Sequence, residues 1–138
     1  MKTFDTEFKV YFEDISPSGK IHLEKIAEWM SMTREEYFKA TCPEHLKFID
    51  TAVNMFTTNI LISVTGRSRW ADNIIAILTT ANIKKISFEM CIEFKNERTS
   101  QVIARGVQKV AFININSRDF TSIPGDMKNV IVNYNKET

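Results

Sequence analysis

The sequence predicts an α+β domain in which one long helix is wrapped by an antiparallel sheet. Three observations predict it. From Leu23 onward, Leu23, Ile26, Ala27, Met30, Arg34, Tyr37 and Phe38 recur at steps of three and four, which is one face of a helix. Later, Ile86, Phe88, Met90, Ile92 and Phe94 alternate with Ser87, Glu89, Cys91 and Glu93, the period of a half-buried strand. The one clear helical stretch is followed by strand-like segments, so the simplest packing lays the sheet around the helix.

The elements follow in order. Phe4, Phe8, Val10 and Phe12 alternate imperfectly with charged residues, which predicts a strand over residues 4–12. A tight turn built on Pro17 and Gly19 then leads into the helix. The helix should end near Thr41, because Pro43 pushes Cys42 out of helical backbone. Residues 55–65 carry Ile60, Leu61, Ile62 and Val64 and read as a strand, as does the apolar run from Ile74 to Thr80. Asn96 to Ser100 is a hairpin-like break before a long last strand, Val102 to Ile115, in which Gly106 suggests a bulge or bend. Ser122-Ile123-Pro124-Gly125 should close a single domain spanning residues 1–138, leaving a loose polar tail over 128–138.

Composition narrows the function. Hydrophobic residues are 43% and charged residues 25%, as in a folded globular chain. A net charge of +1 argues against a general nucleic-acid binder. No apolar run approaches the roughly 20 residues that span a bilayer, and Met1 to Asp5 lacks a leader's apolar region. No membrane association and, by default, a cytoplasmic location are expected. Cys42 and Cys91 form no paired motif, and Cys42 and His45 flank Pro43 in a polar connector. These residues read as structural, and no metal or redox cofactor is expected.

One segment carries a hint of chemistry. In Val10-Tyr11-Phe12-Glu13-Asp14-Ile15-Ser16-Pro17-Ser18-Gly19-Lys20-Ile21, a strand runs through a turn into a helix. That places Asp14, Ser16 and the turn's amides at the helix start. Backbone N–H groups there lack partners and carry partial positive charge, so they can hold a carbonyl that is developing negative charge. Arg34 is the second oddity, a cation on the apolar stripe. It needs either a structural ion-pair partner such as Asp14 or a substrate oxygen.

These residues, in this order, resemble the hotdog-fold thioesterases of the 4-hydroxybenzoyl-CoA thioesterase type. They look most like the branch found in enediyne polyketide pathways. The resemblance runs from about Phe8 to Pro124. It rests on Phe12 to Gly19, on Trp29 and Thr33-Arg34-Glu35-Glu36-Tyr37-Phe38 in the helix, on Arg69-Trp70-Ala71-Asp72 and on Ser122-Ile123-Pro124. Ser16 stands where the hydroxybenzoyl-CoA type has its catalytic acid. The enediyne branch also lacks that acid and relies on the helix arginine; Ser16 and Arg34 are 18 positions apart, the spacing of the corresponding pair there. Lys25 replaces a common helix-start Asn, and His22-Leu23 replaces an aromatic pair.

The resemblance implies hydrolysis of an acyl thioester on coenzyme A or an acyl carrier protein, with polyketide or fatty-acid-type biosynthesis as the setting. It implies that the Leu23 amide holds the oxyanion and that Arg34 polarises or positions the acyl group. Ser16 and Asp14 would arrange the water and the arginine. Asp14 also reads as a plain turn acid. With no acid partner for His22, Ser16 is not expected to be an activated nucleophile. Gly19 in the turn, Met30 along an acyl channel, and Arg67 and Arg69 beside Lys84 and Lys85 are the candidate substrate contacts, the basic cluster facing coenzyme A phosphates or an acidic carrier. A strand edge left open predicts a homo-oligomer, dimer or tetramer, with the site between subunits and the Arg67–Asp72 turn of one chain meeting the Asp14–Leu23 turn of another. The alternatives are an acyl-thioester binder without turnover and a hydratase or dehydratase on the same fold.

Overall fold

The computed structural model describes residues 2–44 and 52–136. The elements are β1 (Phe4–Lys9), a 3-10 turn (Phe12–Asp14), α1 (Leu23–Thr41), β2 (Val53–Val64), β3 (Asn73–Ala81), β4 (Ser87–Asn96), β5 (Val102–Asn114) and α2 (Gly125–Asn133). The strands form one antiparallel five-stranded sheet in the order β1-β3-β4-β5-β2. This is the predicted α+β arrangement, and the sheet curves around α1. Among the described residues, no helix is long and apolar enough to cross a membrane.

The core follows from the two periodicities. Strand alternation sends Ile74, Ala76 and Leu78 of β3 and Phe88, Met90, Ile92 and Phe94 of β4 to one face. There they meet Ile26, Trp29, Met30, Tyr37 and Phe38 of α1, all buried. Thr33 lies on the same buried stripe and turns its hydroxyl back onto the Trp29 carbonyl at 2.7 Å, so its polar atom is satisfied. The helix ends at Thr41, as Pro43 predicts.

Three features differ from expectation. The first strand stops at Lys9 rather than residue 12. Val10 leaves the strand ladder and bonds the β2–β3 loop, donating to the Asp72 carbonyl and accepting from the Ala71 amide, both at 2.9 Å. Gly106 is not a bulge: it sits in register opposite both Ile62 and Ile92. A Cβ built on it would lie 2.6 Å from Met30 Cε and closer still to the sulfur. The glycine therefore lets α1 approach β5, and the register shifts fall at Thr57/Asn59 and Phe94/Lys95 instead.

The third correction is the C-terminal segment, where the expected tail is a helix. Met127 and Ile131, four apart, are fully buried. The Thr80 hydroxyl donates to the Ile131 carbonyl at 2.7 Å, and Tyr134 sits edge-on to Tyr37 at 5.0 Å between centroids. A short apolar stripe inside a polar segment is enough to dock it.

Candidate functional site

The turn before α1 is a small hydrogen-bonded cassette. The Ser16 amide donates to the Lys20 carbonyl at 2.8 Å, and the Gly19 amide donates back to Ser16 at 2.9 Å. Gly19 has φ +85°, a backbone state that a side chain would strain. The His22 amide donates to the Asp14 carbonyl at 2.9 Å, which pins the chain at the helix start. Lys25 and Ile26 donate to the His22 carbonyl. The amides of Leu23 and Glu24 have no acceptor among the described residues, and the Leu23 side chain is half exposed. The open N–H groups expected at this position are therefore present.

Asp14 is buried and already engaged. It accepts from the Tyr11 amide at 2.9 Å and pairs with Lys25 Nζ at 3.4 Å. It does not meet Arg34, which corrects the expected Asp14–Arg34 contact; Asp14 braces the turn. The Ser16 hydroxyl contacts the Ser18 hydroxyl at 2.8 Å, and among the described residues no imidazole or carboxylate hydrogen-bonds to it.

Arg34 is half-buried between α1 and the β2–β5 edge of the sheet. Its Nη1 donates to Thr57 Oγ1 at 2.9 Å and to Gln108 Oε1 at 3.0 Å. No described carboxylate pairs with it. Burial pulls the guanidinium below its ordinary pKa, against the adjacent Glu35 charge, yet an arginine stays protonated. Leu23 and Arg34 are eleven residues apart on one helix, about 16 Å along the axis. Within a single chain the Leu23 amide and the guanidinium are therefore too far apart to hold the same oxygen. Neither Gln108 nor Thr57 stood out in the sequence. The signal for Gln108 was an amide on the inward-facing alternation of β5, between Gly106 and Val110.

The β2–β3 loop packs on the same chain's turn. Ser68 donates its amide to the Gly19 carbonyl at 3.0 Å, and Arg67 lays its aliphatic stem over Gly19. Phe12 and Trp70 stack at 4.9 Å and 8° while both remain largely exposed. The two turns thus meet within one chain. Asp72 ties the loop down: it accepts from the Arg69 amide, from Asn96 Nδ2 and, at 2.8 Å, from Arg98 Nε. The Arg98 bonds hold its carboxyl well below the usual carboxylate range, against desolvation and with help from Arg69 and Asn96.

Two further expectations fall. Arg67 and Arg69 are exposed beside the helix start, but Lys84 and Lys85 lie past the other end of β3, so the four do not form one cluster. Nine residues of strand separate the pairs, about 30 Å. Met30 is fully buried against Gly106 and is a packing residue, not part of an open channel wall. His45 lies outside the described residues. Among those described, no His, Cys, Asp or Glu group could hold a metal ion.

One long helix embraced by a five-stranded antiparallel sheet, with open amides at the helix start, defines a hotdog-fold protein. The sequence model of the thioesterase-like superfamily matches residues 10–131, and the chain belongs to that family. The structure is similar to a 1,4-dihydroxy-2-naphthoyl-CoA thioesterase from Synechocystis, with a TM-score of 0.85 and 17% identity over 95% of this chain and 96% of that one. It is also similar to the dynemicin thioesterase, at TM-score 0.89 and 12% identity over 97% and 98% of the two chains. A gentisyl-coenzyme A thioesterase aligns at TM-score 0.79 and 18% identity over 93% and 99%. No curated protein matches the sequence.

Proposed function

We propose that this chain hydrolyses acyl thioesters carried on coenzyme A or on an acyl carrier protein, in polyketide or fatty-acid-type biosynthesis. The observation that carries the reading is the pair of open amides at the start of α1, framed by the Ser16–Lys20 turn. The thioester carbonyl oxygen is directed at the Leu23 amide, where the growing negative charge is held by a fixed donor. Water attacks the carbonyl carbon, the C–S bond breaks, and the water's proton passes to the leaving sulfur. The products are a carboxylic acid and a free thiol. Ser16 holds the water, Asp14 keeps the turn in place through Lys25 and the Tyr11 amide, and Arg34 handles the acyl portion. Arg67 and Arg69 draw in the phosphates or the acidic carrier. The open β2 edge supports a homodimer or tetramer in which two copies share the site.

Family membership and the three thioesterase neighbours support this reading. A second one is favoured by a specific observation: the acid of the motif is replaced by Ser16, and Asp14 is tied to Lys25. A protein that binds acyl thioesters without turnover would look the same there. Thiol release from a panel of acyl-CoA and acyl-carrier substrates, short to long, separates the two. Release across some part of the panel is expected. Tight binding without release would replace the hydrolase reading with the binder.

A further inference from the structure

Gln108 is an amide placed where strand alternation calls for an apolar side chain. Its inner-face neighbours along β5 are Gly106 and Val110, and its cross-strand partners are Ile60 and Met90. It is only 2% exposed. A buried side-chain amide is costly unless its polar atoms are engaged, and Oε1 is engaged by Arg34 Nη1 at 3.0 Å. Thr57 reaches the same nitrogen at 2.9 Å from the open edge strand, just before the register shift in β2. One corner of the guanidinium is therefore held by two neutral oxygens. Its Nη2 and Nε groups have no acceptor among the described residues.

The choice of neutral acceptors matters. A carboxylate of the same length at position 108 would hold the arginine as well and would ease the cost of burying its charge. It would also cancel that charge. An amide fixes direction and leaves the charge available, at the expense of stability. We infer that Gln108, together with Thr57, is a positioning element that aims Arg34 while leaving it without an ion pair to any described carboxylate, so that its charge faces an oxygen of the bound acyl group. This rests on the hydrolase reading above and adds residues to it that the family resemblance did not mark.

The test compares Gln108→Glu with Gln108→Met in the full chain. Gln108→Glu should melt no lower than Gln108→Met, because it retains a partner for Arg34. Its kcat/KM should nevertheless fall at least about tenfold below wild type, and further than that of Gln108→Met, which keeps the free charge but loosens its aim. A purely structural role predicts the opposite order, with activity following stability. Gln108→Glu as active as Gln108→Met, or more so, overturns the inference.

A second readout does not depend on turnover. If the wild type hydrolyses no thioester, the hydrolase reading has failed, and the positioning claim is then judged by the Arg34 Nε–Hε NMR resonance during titration with hexanoate. It should shift in wild type and stay still in Gln108→Glu. An equal shift in both, or no shift in wild type, would defeat it.

Discussion

A guanidinium set into the apolar side of a helix is costly without a strong reason, and among the described residues Arg34 hydrogen-bonds only to neutral partners. Its removal should relieve the fold and damage the chemistry. Arg34→Met keeps the length and the packing. We expect kcat/KM to fall by at least about tenfold, which is about 1.4 kcal/mol of transition-state binding, while the melting temperature holds or rises. A folded Arg34→Met with wild-type turnover would strip the residue of its role. The sequence made Arg34 visible because a charge interrupts a regular stripe. Its acceptors were hidden, because which residues of β2 and β5 lie under one turn of α1 depends on register and on the shift after Thr57. The Asp14–Arg34 contact was misjudged for the same reason, while the turn-acid reading of Asp14 fits: its partner Lys25 lies in the first turn of α1, reachable only once the cassette has folded.

At the scale of elements, the closeness of α1 to β5 depends on one missing methyl group. Gly106→Ala would push a Cβ into Met30. Met30 can yield, since it is unbranched, but it is enclosed. The expected cost is about 1–3 kcal/mol, read as a lower midpoint in urea; an unchanged midpoint would show that the approach is slack. The β2–β3 loop depends on Asp72. Because its carboxyl titrates lower in the folded chain than in the unfolded one, its contribution is present above the ordinary carboxylate range and is lost as pH falls through the depressed folded value. Asp72→Asn should therefore destabilise at neutral pH by about 1–3 kcal/mol, and its gap to wild type should close in strong acid. A gap that is constant with pH would argue against the linkage. The long helix and the alternating strands were legible because periodicity survives in any packing. The early end of β1 was not, since Val10 is drawn off by a loop some sixty residues away. The helix α2 was missed because its apolar pair is too sparse to outweigh its polar neighbours until a surface exists to receive it.

At the scale of the molecule, β2 is a twelve-residue strand with β5 on one side and no described strand on the other. Edges of this length pair readily unless blunted. On the sheet face away from α1, a row of small and apolar side chains runs across four strands, from Thr79 through Cys91 and Val107 to Leu61. Leu61 is 74% exposed. Light scattering at low micromolar concentration should report a dimer or tetramer. Leu61→Asp should cost an isolated chain no more than about 0.5 kcal/mol, as for an ordinary surface change, so any fall in mass would report a broken interface between copies. A wild-type monomer that still turns over thioesters would refute both the assembly and the shared site.

The two tryptophans occupy opposite settings. Trp29 is stacked on Phe8 inside the core, and Trp70 is stacked on Phe12 in water, on the loop that carries Arg67 and Arg69. The two tryptophans should therefore act as native optical probes with separable colours, the caged one emitting to the blue and the solvent-facing one to the red. Light from the first reports whether the helix is still wrapped. Light from the second should be quenched by a soluble quencher that spares the first, so the fold and the exposed loop can be followed separately in one sample without a label.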